Sequence, residues 1–228
     1  MTTVVAYADA APHLRDGLQD VFTRASEGSP AGALWGDAPS EAAVYLDPYI
    51  DHEPESLLLA VTDGAVVGYL AGSLGTASFP SESELIDAAM REHQLFRRRD
   101  TRAFFTRAMR DAAGAWLRRR PTARELDDPR WPAHLHIDLV PEARGTGVGD
   151  ALMEAWHARL EAAGAPGCFL QTQVENERAR RFFARHGYVD HGPAVLIPGV
   201  RHRGEITYQQ TMVRDGAPAP HPDGGSHP

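Results

Sequence analysis

Apolar positions along the chain change period several times, and each change marks an element. Residues 3–8 alternate as a short strand, and residues 12–25 carry Leu14, Leu18, Val21 and Phe22 at helical spacing. Residues 40–50 give a weaker helical pattern. Two apolar runs, residues 56–62 and 65–74, meet at Asp63-Gly64, a pair suited to a tight hairpin turn. Between Pro80 and Pro121 the period is helical again: Ser81 and Glu84 form a capping box, and Phe104, Phe105, Ala108, Met109, Ala112, Ala113, Trp116 and Leu117 recur three or four apart. A proline-rich linker follows. The pattern then predicts a strand over 133–140, a helix over 147–162, a strand over 167–174, a helix over 176–186 closed by Gly187, and a final strand over 205–213. Residues 215–228 are proline, glycine and histidine without period, which predicts a disordered tail. The expected organisation is one domain over 1–214 with a helical insertion at about 80–131.

Composition narrows the function classes. The 228 residues suffice for a full core. The longest apolar run, residues 57–61, is far below membrane-spanning length, and the N-terminus lacks the basic start and apolar run of a secretory signal, so a cytoplasmic protein without membrane attachment is expected. All 23 basic residues are arginine, and the absence of lysine removes any Walker-type phosphate loop. A net charge of −8 argues against general nucleic-acid binding. The insertion departs locally from that balance, with ten arginines between Arg91 and Arg120 against Glu92, Asp100 and Asp111. That stretch reads either as a solvated outer face or as a surface that attracts acidic substrates or partners. The lone Cys168 reads as a small core residue.

The most informative run is residues 137–153, IDLVPEARGTGVGDALM, a strand ending in a glycine-rich turn that opens directly into an amphipathic helix. Such a turn gathers unpaired backbone N–H groups and the positive helix end at one place, which suits a pyrophosphate. A dinucleotide fingerprint would need glycine where Asp150 stands, so the Rossmann reading fits poorly. The run resembles the cofactor motif of the GNAT superfamily of N-acetyltransferases: Arg144-Gly145-Thr146-Gly147-Val148-Gly149 matches its glutamine or arginine followed by x-x-G-x-G. A second block, residues 176–188 (NERARRFFARHGY), resembles that family's N-x-x-A-x-x-F-Y-x-x-x-G-F. The long insertion and the stretch from Trp131 to Leu139 are most similar to the acetyltransferase-like C-terminal domain of O-GlcNAc hydrolases.

This resemblance implies a mixed α/β fold, with a mostly antiparallel central sheet, splayed parallel central strands, helices on both faces and the helical insertion added. It implies acetyl-CoA as cosubstrate, an amine acceptor that is a small molecule or peptide, and no metal; a homodimer is left open. Leu139 and Val140 would pair with the pantetheine amides, Arg144 to Gly149 would hold the pyrophosphate, and Asn176 would cap a helix, contact pantetheine, or do both. Phe183 falls in the cofactor block where many members carry the tyrosine that protonates the departing thiolate. Phenylalanine cannot donate, although a thiol of pKa about 8.5 is a tolerable leaving group unaided.

Direct acetyl transfer needs a neutral amine, and an ordinary alkylamine of pKa about 10.4 is neutral only about once in 2,500 at pH 7, equivalent to roughly 4.6 kcal/mol. The strand before the glycines offers a base, because His134, His136 and Asp138 alternate with Leu135, Ile137 and Leu139 and so share one face. His136 suits neutral pH, and Asp138 would orient it or position a water. The same row also reads as a satisfied structural feature. The competing function is a catalytically inactive acetyl-CoA-binding module whose insertion recruits a partner.

Overall fold

The computed structural model describes residues 2–25, 34–76 and 78–216. Seven strands and seven α-helices are present among them, in the order β1 (Thr2–Ala6), α1 (Pro12–Ala25), α2 (Ala38–Tyr45), α3 (Asp47–His52), β2 (Leu57–Thr62), β3 (Ala65–Ser73), α4 (Glu82–Glu92), α5 (Arg99–Leu117), β4 (Ala133–Leu139), α6 (Val148–Ala162), β5 (Gly167–Gln173), α7 (Glu177–Arg185), β6 (Val189–His202) and β7 (Glu205–Asp215). The expected strand over 3–8 is shorter, because the chain turns into a 3-10 helix at Tyr7–Asp9. The single helix expected over 40–50 is two. Leu46 leaves helical geometry between them, where Pro48 in the first turn of α3 demands a new start. The β2–β3 turn is left-handed at both Asp63 (φ 51°) and Gly64 (φ 80°), as a primed hairpin turn requires. The predicted capping box at Ser81 and Glu84 starts α4. Asp215 belongs to β7, pairs with Gly167 and accepts from the Trp131 indole at 2.8 Å. The remainder of the expected tail, residues 217–228, lies outside the described residues.

The strands form one sheet in the order β1-β2-β3-β4-β5-β7-β6. Every neighbouring pair is antiparallel except β4 and β5, which are parallel. This is the mixed, mostly antiparallel architecture expected, with its one parallel pair at the centre. β6 is the element the sequence pattern does not announce. Gly192, Pro193, Pro198 and Gly199 interrupt its alternation, and its register with β7 breaks after His191 and after Leu196. An edge strand tolerates such residues because one side of its backbone needs no ladder partner.

Alternation along β3 and β4 sends their residues to two different environments. Gly72 faces α6, where Trp156 occupies the space a side chain would take: a Cβ at Gly72 would lie 2.4 Å from the indole ring, itself fully buried. Gly72→Ala therefore overpacks the main core, with an expected loss of about 1–3 kcal/mol, readable as a lower urea midpoint at unchanged slope. His134 and His136 point to the opposite face, toward Tyr45 and Tyr49 of α2 and α3.

The insertion closes over that same face. Trp35, Val44, Ala89, Leu95 and Phe105 form a separate small core that joins α2, α4 and α5. On its other side α5 is buckled to β6: Arg201 grips Asp111 with two nitrogens at 2.8 Å each, the Gly199 N–H donates to Asp111 at 2.9 Å, and Arg107 donates to the Gly199 carbonyl at 2.7 Å. Of the ten insertion arginines all but Arg107 are exposed, so the positive stretch is an outer face.

Candidate active site

Where β4 and β5 meet, only Ala133 with Cys168 and His134 with Phe169 are in register. Beyond those pairs residues 135–139 and 170–173 run on without pairing each other, because β4 keeps its ladder with β3 and β5 keeps its ladder with β7. The result is a wedge whose inner edges carry uncommitted backbone groups. The Val140 N–H donates to the Val67 carbonyl at 3.0 Å, which fixes the phase of the β3–β4 ladder. By antiparallel alternation the N–H and C=O of Ile137 and Leu139 then point away from β3 and into the wedge. Val140 itself is committed, since its carbonyl also accepts from the Ala143 N–H at 3.0 Å.

The glycine-rich turn stands at one mouth of the wedge. Gly145 (φ 81°) and Gly147 (φ 89°) adopt left-handed geometry that other residues avoid, and Gly147 is the N-cap of α6. No side chain caps this helix, so the first-turn N–H groups from Val148 onward keep their donors for a ligand. Thr146 closes the turn by donating to the Ala143 carbonyl at 2.8 Å. Arg144 braces it, with Nε 3.3 Å from the Leu139 carbonyl and Nη2 2.8 Å from the carbonyl of Ala25 at the end of α1. Gly149 packs closely under Phe182: a Cβ there would stand 3.2 Å from the ring, which would have to shift by a few tenths of an ångström.

At the other end lies a cavity of about 840 Å³, bounded by β4, β5 and the helices of the insertion. His134, His136, Asp138 and Asn176 line it, so four of the residues singled out in the sequence come together there. His134 is 8% exposed and hydrogen-bonds through Nε2 to the Tyr49 hydroxyl at 2.9 Å. Burial pushes its pKa down to about 3, so it is neutral at pH 7. Burial also holds His136 below the ordinary histidine value, against an upward pull from the nearby charges of Glu82 and Asp138. The His136 ring is met edge-on by Tyr45 and Tyr49, each centroid 5.9 Å away. Asp138 accepts from the Tyr69 hydroxyl at 2.8 Å. Its bonded partner is thus Tyr69, on β3, where the sequence reading had it orient His136 or position a water. Asn176 accepts from the Ala179 N–H at 3.1 Å, the N-cap of α7, which leaves its Nδ2 donors clear of that bond.

Phe183, at the position where the resemblance places a tyrosine, and the tyrosines Tyr188 and Tyr208 are not among the lining residues of this cavity. Phe183 is 6% exposed in the main core, between Phe182 and Tyr188. Tyr188 is 1% exposed, with its hydroxyl ionisation pushed well up by burial, and Tyr208 on β7 lies 40% exposed outside the cavity lining. Cys168 is a fully buried thiol whose pKa is raised to about 11, a core residue without nucleophilic character. The acidic cavity residues that pattern reading missed are Glu82 and Glu125. The Glu82 side chain accepts from Tyr45 at 2.9 Å, and its backbone N–H donates to Glu125 at 3.1 Å. No grouping of three or more metal-ligating side chains occurs among the described residues, and no described helix is long and apolar enough to cross a membrane.

The neutral His134 has a consequence for stability. Its folded pKa lies below the unfolded value near 6.5, so as pH falls below that value the unfolded chain takes up a proton that the native state does not. Stability is therefore expected to fall between pH 7 and pH 5. Replacing both partners, Tyr49→Phe with His134→Leu, leaves no orphaned hydrogen-bonding group and should reduce that dependence in urea melts at the two pH values, the remainder belonging to His136 and His157, which burial also lowers.

A mixed sheet opened at its one parallel pair, with an uncapped helix N-terminus at the mouth of the opening, leaves a slot between two strands with an anion-attracting end. The chain belongs to the acetyltransferase (GNAT) family, whose match spans residues 18–188. Solved structures agree in fold. SsHAT is 22% identical, with 95% of this chain and 99% of that one aligned at a TM-score of 0.57. The protein yncA from Salmonella typhimurium, whose structure holds its cofactor acetyl-CoA, is 15% identical over 97% of this chain and 98% of that one, at 0.56. Ard1 from Thermoplasma volcanium is 17% identical over 95% and 99%, at 0.54. The protein is accordingly an acetyltransferase of the GNAT fold. These matches carry the family and the fold; the narrower likeness to the O-GlcNAc hydrolase appendage stays a likeness in sequence.

Proposed function

We propose that the protein moves an acetyl group from acetyl-CoA directly to an amine, with both substrates bound at once. The observation that carries this reading is the wedge between β4 and β5, which joins a glycine-rich anion cradle at one mouth to a cavity containing a neutral imidazole at the other. The pyrophosphate lies on the N–H groups of residues 145–149 at the positive end of α6. Leu139 pairs with the pantetheine arm through its inward-facing N–H, its carbonyl already accepting from Arg144 Nε. Val140, Phe182 and Phe183 back that strand and the turn with apolar surface, while Arg144 keeps the turn in shape. Asn176 offers its Nδ2 to the pantetheine arm.

The acetyl end then stands beside His136. The imidazole removes a proton from the bound ammonium, the freed nitrogen attacks the thioester carbonyl carbon, and the C–S bond breaks as that nitrogen gives up its second proton to water and the amide forms. The CoA thiolate leaves and takes a proton from water, a step made tolerable by a thiol pKa of about 8.5. Asp138, held by Tyr69, contributes negative charge beside the imidazole and favours its protonated form once the proton has moved. The alternative of a binding module without activity drew on Phe183 and on the hydrolase likeness, and no contact in the site adds to it.

Initial rates of thiol release, measured while amine and acetyl-CoA are both varied, test the ternary route. Intersecting reciprocal lines are expected. Parallel lines, or failure of every amine to raise thiol release above hydrolysis, would overturn it.

A further inference from the structure

Resting on the acetyl-transfer reading of this cavity, we infer that the acceptor is a compact amphipathic amine, one ammonium on an apolar or aromatic body without a carboxylate, whose cation is received by Glu82 and Glu125. Charge is the first reason. Among the described residues the cavity lining includes Glu41, Glu82, Glu125 and Asp138 and no arginine, while the chain has no lysine at all. Glu41 is consumed by structure, since its Oε1 accepts from the N–H groups of Trp35 and Gly36 at 2.7 and 2.8 Å. Among the described residues the other three carboxylates have hydroxyl or backbone N–H partners but no cationic one. The nearest candidate, His134 at 3.9 Å from Glu125, stays neutral.

Two of those carboxylates are held close together. Glu82 sits in the first turn of α4, fixed by the Ser81 capping box, and its own N–H reaches Glu125. Burial and the Glu82 charge both push the Glu125 carboxyl up from its ordinary range, a cost that a bound cation removes. A second observation points the same way: the side-chain carbonyl oxygen of Gln173, another lining residue, is buried and has no hydrogen-bond partner. An N–H donor on the acceptor would satisfy it.

Shape supplies the apolar body. Trp35, Tyr45, Tyr49, Phe79, Phe105 and Phe169 contribute aromatic surface to the cavity, which suits a ring or a short hydrocarbon and also the face of a cation. The insertion and β6, locked together through Asp111 and Arg201, stand over this side of the sheet, where an extended peptide would need an open groove. A free carboxylate on the acceptor would meet three carboxylates with no arginine to receive it. The exposed arginines of α5 belong to the outer surface and do not take part.

Matched probes separate these features: 2-phenylethylamine, phenylalanine, which adds only a carboxylate, and spermidine, which replaces the ring by further cations. For each, calorimetric binding to the protein alone and kcat/KM with acetyl-CoA are measured. The phenylethylamine is expected to exceed both others by about tenfold or more, the worth of one charge-assisted contact. Glu82→Gln and Glu125→Gln, near in shape, should raise its KM and Kd by about tenfold while acetyl-CoA binding stays within about twofold. Equal or better use of phenylalanine or spermidine, or no change in amine binding in either variant, would overturn the inference. Loss of acetyl-CoA binding by the wild-type protein would instead strike the acetyl-transfer reading, and the amine titrations without cosubstrate would still decide this one.

Discussion

His136→Ala is expected to lower kcat for amine acetylation by about a hundredfold to a thousandfold, within the range of a lost general base, while leaving the Kd for acetyl-CoA within about twofold. The effect should be this large because the ammonium must lose its proton inside a site that favours the cation. Glu82, Glu125 and Asp138 attract the amine but also hold it in its unreactive form, so a proton acceptor is required where it binds. His136 can serve because burial keeps it neutral at pH 7, with its protonation shifted below the ordinary 6.5. As pH falls through that shifted value the imidazole becomes charged and can no longer accept a proton, so kcat/KM should show an acid limb below 6.5 that His136→Ala removes. A variant with unchanged kcat, or with acetyl-CoA binding lost in parallel, would assign the row to structure.

Gly147→Glu should weaken acetyl-CoA binding by at least about a hundredfold. The new carboxylate would stand at the N-terminus of α6, where the pyrophosphate is proposed to lie. Two like charges about 5 Å apart at an effective dielectric near 20 repel by roughly 3 kcal/mol, or somewhat more than a hundredfold. Clash with the rest of the chain is not the cause, since no protein atom stands within 4 Å of a Cβ at this glycine. Backbone strain at φ 89° is the confounding term, and Gly147→Asn controls for it, because asparagine tolerates left-handed geometry and brings no charge. Binding is expected to survive largely in the asparagine variant and to fail in the glutamate one. Equal losses in both would assign the effect to the backbone.

The anion cradle was the most legible part of the site, because everything it needs is local. A strand, two left-handed glycines and a helix onset lie within residues 137–153, and the structure places the turn and α6 as that order requires. The polar row was legible as a face and not as a network. Strand alternation puts His134, His136 and Asp138 together, but their partners Tyr49, Tyr45 and Tyr69 arrive from other elements through long-range pairing that no period in the sequence encodes. Glu82 was visible only as part of a helix start, and its place in the cavity follows from how the insertion folds back. The arginines of the insertion left two readings open. The fold turns nine of the ten outward and gives the cavity the opposite sign, so charge along the chain was a poor guide to charge inside the site. β6 was hidden because the prolines and glycines that interrupt its alternation are tolerated on an edge strand, a status only the assembled sheet confers.

The central claim is that the wedge and its glycine-rich mouth form a site for acetyl-CoA and not for another nucleotide. Calorimetric titration of the wild-type protein with acetyl-CoA, set beside NADH under the same conditions, tests it most directly. The account predicts saturable one-to-one binding of acetyl-CoA and none of NADH; binding of NADH as tight as that of acetyl-CoA, or no binding of acetyl-CoA, would contradict it.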